Sequence, residues 1–400
     1  MRRRVAQIIV ILFLFPVSVH ALTLHEAIRM AGEHNQDLRI SRREIEIRAE
    51  NLKAASRFFQ ENPILSSDYT GKESSRNSYT IGIGQTIEVR GQRIDREAIA
   101  RKGIEESRCN ARGLWLHLKN KIVQIYVRNW ALEQIISLYK EALEKEKALE
   151  DYARMRVANG EDSADILAVA TMEFARTQRI FQDLQAEKST LKASLSALVG
   201  GEKVDEIDPS FKKDFTFPSF PRLQSPLRNN PEVKAIEARI EKAKFSYNLT
   251  KKNGYFPSVQ AGLSAGGDSG ETTVTASLSI PLPLFNTNGP EAAAAFYQIQ
   301  RSIDEKTSLM NRLRSRLKNI QASMESLKNE HLFYKKKILP RVHGYLGRFE
   351  ERYRNGEIDI FAYENATRRY LETRKNYIEI LQNILSLKSD IKGLIGEDDE

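Results

Sequence analysis

The side chains of this 400-residue chain that could carry chemistry are few, and their spacing brings none of them together. Six histidines and one cysteine are its whole stock of nitrogen and sulfur metal ligands. His25-Glu26 begins an H-E-x-x-H pattern, in which two histidines one helical turn apart hold zinc, but the second histidine is missing. His34, His117, His331 and His343 lie along helical stretches without a common spacing, and His331 falls in an apolar seam where a packed ring is the ordinary reading. Cys109 has no partner within the chain, so no disulfide holds it together. The chain is therefore expected to catalyse no reaction and to hold no cofactor or metal. The formal charge of +9 falls to +6 without three arginines near the N-terminus, and the excess is spread through Lys/Glu-rich helices. No basic face with interleaved aromatics forms, so nucleic acid is not an expected partner.

What remains is patterning. Tyr255 to Asn288 contains two alternating runs, and successive side chains of a strand point to opposite faces. Val259, Ala261, Leu263 and Ala265 share one face; after Gly266-Gly267-Asp268-Ser269-Gly270, Val274, Ala276, Leu278, Ile280 and Leu282 resume it. The other face carries Gln260, Gly262 and Ser264, then Thr273, Thr275, Ser277 and Ser279. Asn77 to Val89 repeats the design, with Tyr79, Ile81, Ile83 and Ile87 opposite Thr80, Gly82, Gly84 and Thr86. Its partner, 63–70, alternates only weakly. Apolar side chains facing lipid and small polar ones facing a lumen, in segments of about ten residues, are the signature of a transmembrane β-barrel. The expected lipid face is Tyr79, Ile81, Ile83, Val274, Leu278 and Ile280; the expected lumen face is Thr80, Gly82, Thr275 and Ser277. Strands are expected at about 63–70, 77–89, 256–265 and 272–284.

Landmarks recur at a near-constant offset. Asn35-Gln36-Asp37-Leu38 matches Asn230-Pro231-Glu232-Val233, Pro63 matches Pro257, and Asn159-Gly160-Glu161 matches Asn355-Gly356-Glu357. Such spacing indicates a tandem helix–hairpin–helix–helix unit. The first repeat is expected at 22–199, a linker at 200–225 with several exposed-looking phenylalanines, the second repeat at 226–396, and an acidic tail at 397–400. Residues 1–21 read as a secretory signal: Arg2-Arg3-Arg4, the apolar run Val5 to Phe15, and Val19-His20-Ala21 as the cleavage site. The mature chain would begin at Leu22, with no cysteine there for a lipid anchor.

The helices carry heptad seams. Leu24 to Phe59 reads as one helix opened by Thr23 and Glu26 as a capping box. From about 91 to 157, Leu118, Ile122, Ile125, Leu132, Ile136, Tyr139 and Leu143 keep a 3/4 rhythm, and a return helix runs from about 163 to 199. Met310, Leu313, Leu317, Ile320, Met324, Leu327, His331, Tyr334 and Ile338 keep it again. If 290–354 is one helix it spans about 100 Å, with a bend at Pro340. A last helix starts near Asp359.

These features together resemble the TolC-type outer-membrane efflux channels, most closely their heavy-metal and cation branch. The resemblance rests on LTLHEAIRMAGEHNQDLR, IGIGQTIEVRGQR, ARMRVANGEDSADILAVA, SIPLPLFNTNG and ERYRNGEIDIFAYENA, in that order on the duplicated frame. It implies a mainly α chain with a small transmembrane β part, three copies forming a 12-stranded barrel continued by a coiled-coil helical barrel. Strand counting agrees: four strands are too few to close a barrel, eight give one filled by side chains, and twelve leave a bore. The resemblance further implies a passive export conduit in the outer membrane, its helices in the periplasm, working with a periplasmic adaptor and an inner-membrane RND-type pump. Adaptor docking would fall on the hairpin tips, at Arg156, Gly160, Asp165, Arg354 and Gly356. Tyr353 matches a tyrosine of the family's closing network, but the family's two pore aspartates are Ala362 and Asn365 here, and its arginine is Ile358. Asp359 and Glu364 could supply negative charge instead. The competing reading, a periplasmic adaptor with a coiled-coil hairpin, would need a lipoyl-like β domain split around one hairpin; this chain has two short strand pairs flanked by helices.

Overall fold

The computed structural model describes residues 21–71, 77–220, 226–255, 258–268 and 271–397. The expected signal peptide, Pro257, most of the two strand turns and the end of the acidic tail lie outside them. Nine α-helices, two short non-α turns and four strands are found among the described residues. In order they are α1 Leu24–His34, α2 Gln36–Ala55, β1 Ile64–Thr70, β2 Ser78–Glu88, α3 Gln92–Ala158 and α4 Ala164–Leu198. A 3₁₀ turn at Pro226–Asn229 precedes α5 Pro231–Asn253, β3 Ser258–Asp268 and β4 Glu271–Ser279. Then come α6 Gly289–Phe333, a π turn Tyr334–Ile338, α7 Leu339–Val342, α8 Tyr345–Arg354 and α9 Ile360–Ile395. No described helix is long and apolar enough to cross a membrane.

The two hairpins are joined inside one chain. β2 pairs antiparallel with β3, giving a single sheet in the order β1-β2-β3-β4. At 67 residues, α3 is about 100 Å long. The expected single helix over 24–59 is instead two, because Asn35 leaves the helical region (φ −63°, ψ 127°) and its side chain caps the amides of Asp37 and Leu38. The expected 65-residue helix over 290–354 is also broken. Pro340 offers no N–H and crowds the carbonyl four residues back, and the preceding turn widens to π geometry. Beyond it, His343 is extended and Gly344 is left-handed (φ 68°), so α8 begins anew. The strand expected to reach 284 stops at Ser279, and Ile280 lies just past it.

One joint occurs twice. The Asn35 amide donates to the carbonyl of Leu198 at the end of α4 (3.0 Å), and the Asn230 amide donates to that of Leu394 at the end of α9 (3.0 Å). Each helix then closes on a left-handed glycine, Gly200 or Gly396. A Cβ at Gly200 would sit 2.6 Å from that of His34, and one at Gly396 would sit 2.9 Å from the Asn229 carbonyl. Around the first joint Ala27, Ala31, Ile122, Tyr126 and Leu195 are buried together; around the second, Leu227, Val233, Leu313, Met324, Ile384 and Leu394. The connecting segment is stitched into both. Phe211 packs on the first core and Phe215, Phe217 and Phe220 on the second, so these rings are partly buried where the sequence had suggested exposure. Leu22 pairs with the same segment as a parallel bridge to Ile207, and its carbonyl accepts from the Tyr126 hydroxyl at 2.7 Å.

Asn230→Ala removes both the cap of α5 and the donor to Leu394, leaving a buried carbonyl unpaired. It is expected to cost about 1–3 kcal/mol. Asn230→Asp keeps the cap but sets a carboxylate oxygen against the buried Leu394 carbonyl, so it should cost at least as much. Denaturant unfolding in detergent, compared across the two variants, checks this.

Candidate functional site: the sheet faces and the helical tips

The sheet register sorts its side chains cleanly. Tyr79 lies between Tyr69 and Gly267, Ile81 between Ser67 and Ala265, and Ile83 between Leu65 and Leu263; Val274 pairs with Ala265, and Leu278 with Ala261. These positions share one face, and its large members, Tyr79, Ile81, Ile83, Leu263, Val274 and Leu278, are all more than half exposed in the single chain. Gln85 interrupts the face and donates instead to the carbonyls of Glu61 and Thr86.

The opposite face is made of short side chains held close together. Gly82 pairs with Ser66 and Ser264, Gly262 with Ser277, and Thr80 with Gly266. A Cβ at Gly82 would lie 3.0 Å from both Ser66 Oγ and Ser264 Cβ; one at Gly262, 2.7 Å from Ser277 Oγ; one at Gly266, 2.8 Å from Thr80 Oγ1. A side chain at these three glycines would press on the serine and threonine side chains of the strands beside them. Both passages from strand to helix turn on a left-handed residue, Gly91 before α3 and Asn288 before α6. Among non-glycine residues, asparagine tolerates that conformation best.

At the far end, α3 turns into α4 through Gly160 (φ 75°), and α8 turns into α9 through Gly356 (φ 74°); nothing crowds either glycine. Arg156 is occupied. Its guanidinium grips Asp162 through two contacts (2.6 and 3.3 Å), touches the Tyr152 hydroxyl and lies over its ring, closing the turn from inside. Asp165 is exposed in the first turn of α4, where its charge suits the helix N-terminus. Arg354 points outward and pairs with Glu350 at 2.8 Å.

The three residues considered for closure have different surroundings. Asp359 caps α9, accepting from the Ala362 amide at 2.7 Å. Tyr353 stacks on Tyr363, with centroids 5.5 Å apart, in a small apolar cluster with Ala153, Ala170 and Ile360; burial pushes its hydroxyl pKa up. Glu364 is buried, facing Glu146 of α3 and Glu173 of α4 rather than solvent. Sequence reasoning missed Glu146, which reads there as one more charge on a Lys/Glu-rich helix. Higher up, His331 is packed between Tyr377, with which it stacks at 5.8 Å, and Phe217. Burial, with Lys335 nearby, lowers its pKa.

Residues 223–397 match the family described as outer membrane efflux protein. Over 384 residues the chain is 21% identical to the cobalt-zinc-cadmium resistance protein CzcC of Cupriavidus metallidurans, covering 94% of this chain and 90% of that one. Among solved structures it is similar to CusC (TM-score 0.80, 15% identity, 94% and 92% covered). It is likewise similar to VceC of Vibrio cholerae (0.79, 16%, 94% and 97%) and to the open MtrE outer membrane channel of Neisseria gonorrhoeae (0.75, 18%, 94% and 89%). At these identities the structural likeness is one of fold.

Arg156→Ala is expected to loosen the α3–α4 turn without unfolding the bundle. Limited proteolysis should then cut at 159–162 several-fold faster than in the wild type, while cutting at 355–358 is unchanged.

Proposed function

We propose that this chain is an outer membrane efflux protein of the TolC type, the passive outer-membrane channel of a tripartite export system. The observation that carries the proposal is the sheet, whose exposed face is built of large apolar side chains and whose other face is small and polar. Its outer edges on β1 and β4 have no partner within the described chain. A face of this kind exposed to water costs roughly 25 cal/mol per Å² of apolar surface, and lipid removes that cost. In lipid, however, every backbone N–H and C=O needs a partner, so the two edges must meet a neighbouring sheet. Three chains supply twelve strands and a bore lined by Thr80, Gly82, Thr275 and Ser277. Crowding on that side favours a sheet curled with its small residues inward.

On this reading the chain comprises a secretory signal at 1–21, two repeats at 22–199 and 226–396, and a waist segment between them. The recurring asparagine–glycine joint supports the duplication. The helices form a periplasmic tube whose tips, around Arg156, Gly160, Asp165, Arg354 and Gly356, meet an adaptor that links the channel to an inner-membrane RND-type pump. Because Arg156 is engaged within its own turn, Gly160, Gly356, Asp165 and the exposed, Glu350-paired Arg354 are left to present the docking surface. Metal cations are the favoured cargo, on the likeness to CzcC; the described residues hold no cluster of His, Cys, Asp or Glu that would bind them on the way. A channel filled by its pump has no need of one.

Two outcomes are expected. Native mass spectrometry in detergent should find a heat-resistant trimer, and a stable water-soluble monomer would refute the channel. Leu278→Lys or Ile81→Lys should cost about 2–4 kcal/mol if the site lies near the bilayer midplane, blocking membrane assembly, whereas Ser277→Lys should assemble. Equal loss on both faces would contradict the assignment of lipid and lumen.

A further inference from the structure

Toward the tips, where α3, α4 and α9 meet, the bundle encloses a cavity of about 10 Å³, the space of one water molecule. From α3 it is faced by Tyr139 and Glu146, and from α4 by Glu173 and Arg176. From α9 it is faced by Glu364, Arg368 and Glu372. Both arginines are taken by one carboxylate: Glu173 accepts from Arg176 at 2.9 Å and from Arg368 at 2.6 Å. The nearby charges are committed elsewhere, Glu150 to Lys147 and Arg154, and Glu350 of α8 to Lys145 and Arg354. Glu146 and Glu364 are each only 4% exposed, and neither Glu146 Oε2 nor Glu364 Oε1 has a hydrogen-bond partner. Thr177 supplies a hydrogen bond to Glu146, and Tyr353 and Tyr363 lie on the tipward side of Glu364.

Two carboxylates without a cation, removed from water and in each other's field, cannot both stay ionised at low cost. We propose that Glu146 and Glu364 form a proton-operated lock between the α3/α4 hairpin and α9, closed while the pair holds a proton and forced apart when both carboxylates ionise. A protonated carboxyl can donate to its neighbour or to a water in the cavity, which removes the unpaired oxygens. Burial is the main cause that lifts Glu146 to about 7 and Glu364 to about 8, with Glu173 adding to both and Glu146 adding to Glu364. Strongly interacting groups lose their protons as a pair, so the lock turns over near neutrality rather than in acid. The only other described charge contact from α9 to the hairpin here is Arg368 to Glu173; the rest is apolar packing, such as Leu371 on Ile135, Leu138 and Tyr139. The lock stands on this geometry alone. Its consequence, that mildly acidic surroundings keep the tip end closed and alkaline ones loosen it, rests on the proposed channel.

Both carboxyls have folded pKa values above their ordinary value of 4.5, so the folded state binds more protons. Stability therefore falls as pH rises from about 4.5 through about 8 and levels off beyond.

The test uses the full-length protein in detergent with Cys109→Ser, spin labels at the exposed positions Met172 of α4 and Arg369 of α9, and an excess of unlabelled chain. In the otherwise wild-type protein the label separation should lengthen by several ångström, or its distribution broaden about twofold, between about pH 6 and about pH 9. Glu364→Gln and Glu146→Gln keep the shape and each remove one ionising partner, so each should hold the short distance throughout and lessen the fall in thermal midpoint over the same range, and the double variant should abolish it. A pH-independent distance in the wild type, or a shift that survives both substitutions, overturns the lock. Conduction is not needed for this readout, so a protein that fails to form pores would refute the channel and leave the lock to be judged on its own distances.

Discussion

One chain cannot satisfy its own sheet. Four strands pair in sequence order, which leaves the outer edges of β1 and β4 bare and an apolar face from Leu65 to Leu278 exposed. Bare edges invite pairing with another sheet, and an apolar face invites burial. Both demands are met at once if sister sheets close into a ring within lipid. The small side chains opposite then line whatever the ring encloses, with Gly82, Gly262 and Gly266 among them.

The helices answer a different constraint. A rod of 67 residues has a stripe to bury along its whole length, and α3 does so against α2, α4, α5 and α9 in succession. Tying such rods together takes a rigid joint, and the chain uses the same one twice: an asparagine that caps one helix while donating to the last carbonyls of another, beside a glycine whose φ only glycine adopts readily. The segment between the halves then lies across both cores, so its phenylalanines act as a strap. Beyond α6 the rod is interrupted by a π turn, Pro340 in α7 and the left-handed Gly344 before α8.

Polar groups in the lower bundle are unevenly provided for. Glu173 takes two arginines while Glu146 and Glu364 take none, an arrangement that adds nothing to stability at high pH. Burying unpaired carboxylates is costly, and it places a titratable contact between elements that link the two tips.

Much of this was legible in the residues themselves. Strict alternation around Tyr79 to Ile83 and Val274 to Leu278 determined the two faces, because a strand's period is two whatever it packs against. The 3/4 seams determined the long helices, and Gly160 and Gly356 their turns. Register and breaks were not legible. That β2 pairs with β3 depends on residues nearly two hundred positions apart, and Asn35 looks like any polar residue within a helix until Leu198 arrives to accept its amide. Ile280 continues the alternation one residue past the end of β4 at Ser279, although β3 still runs on to Ser258 opposite it. Glu146 and Glu364 each read as ordinary helix charges, since periodicity reports which face a residue lies on and not how many cations its neighbours have left. Only the packing of three helices decided that those two carboxylates meet without one.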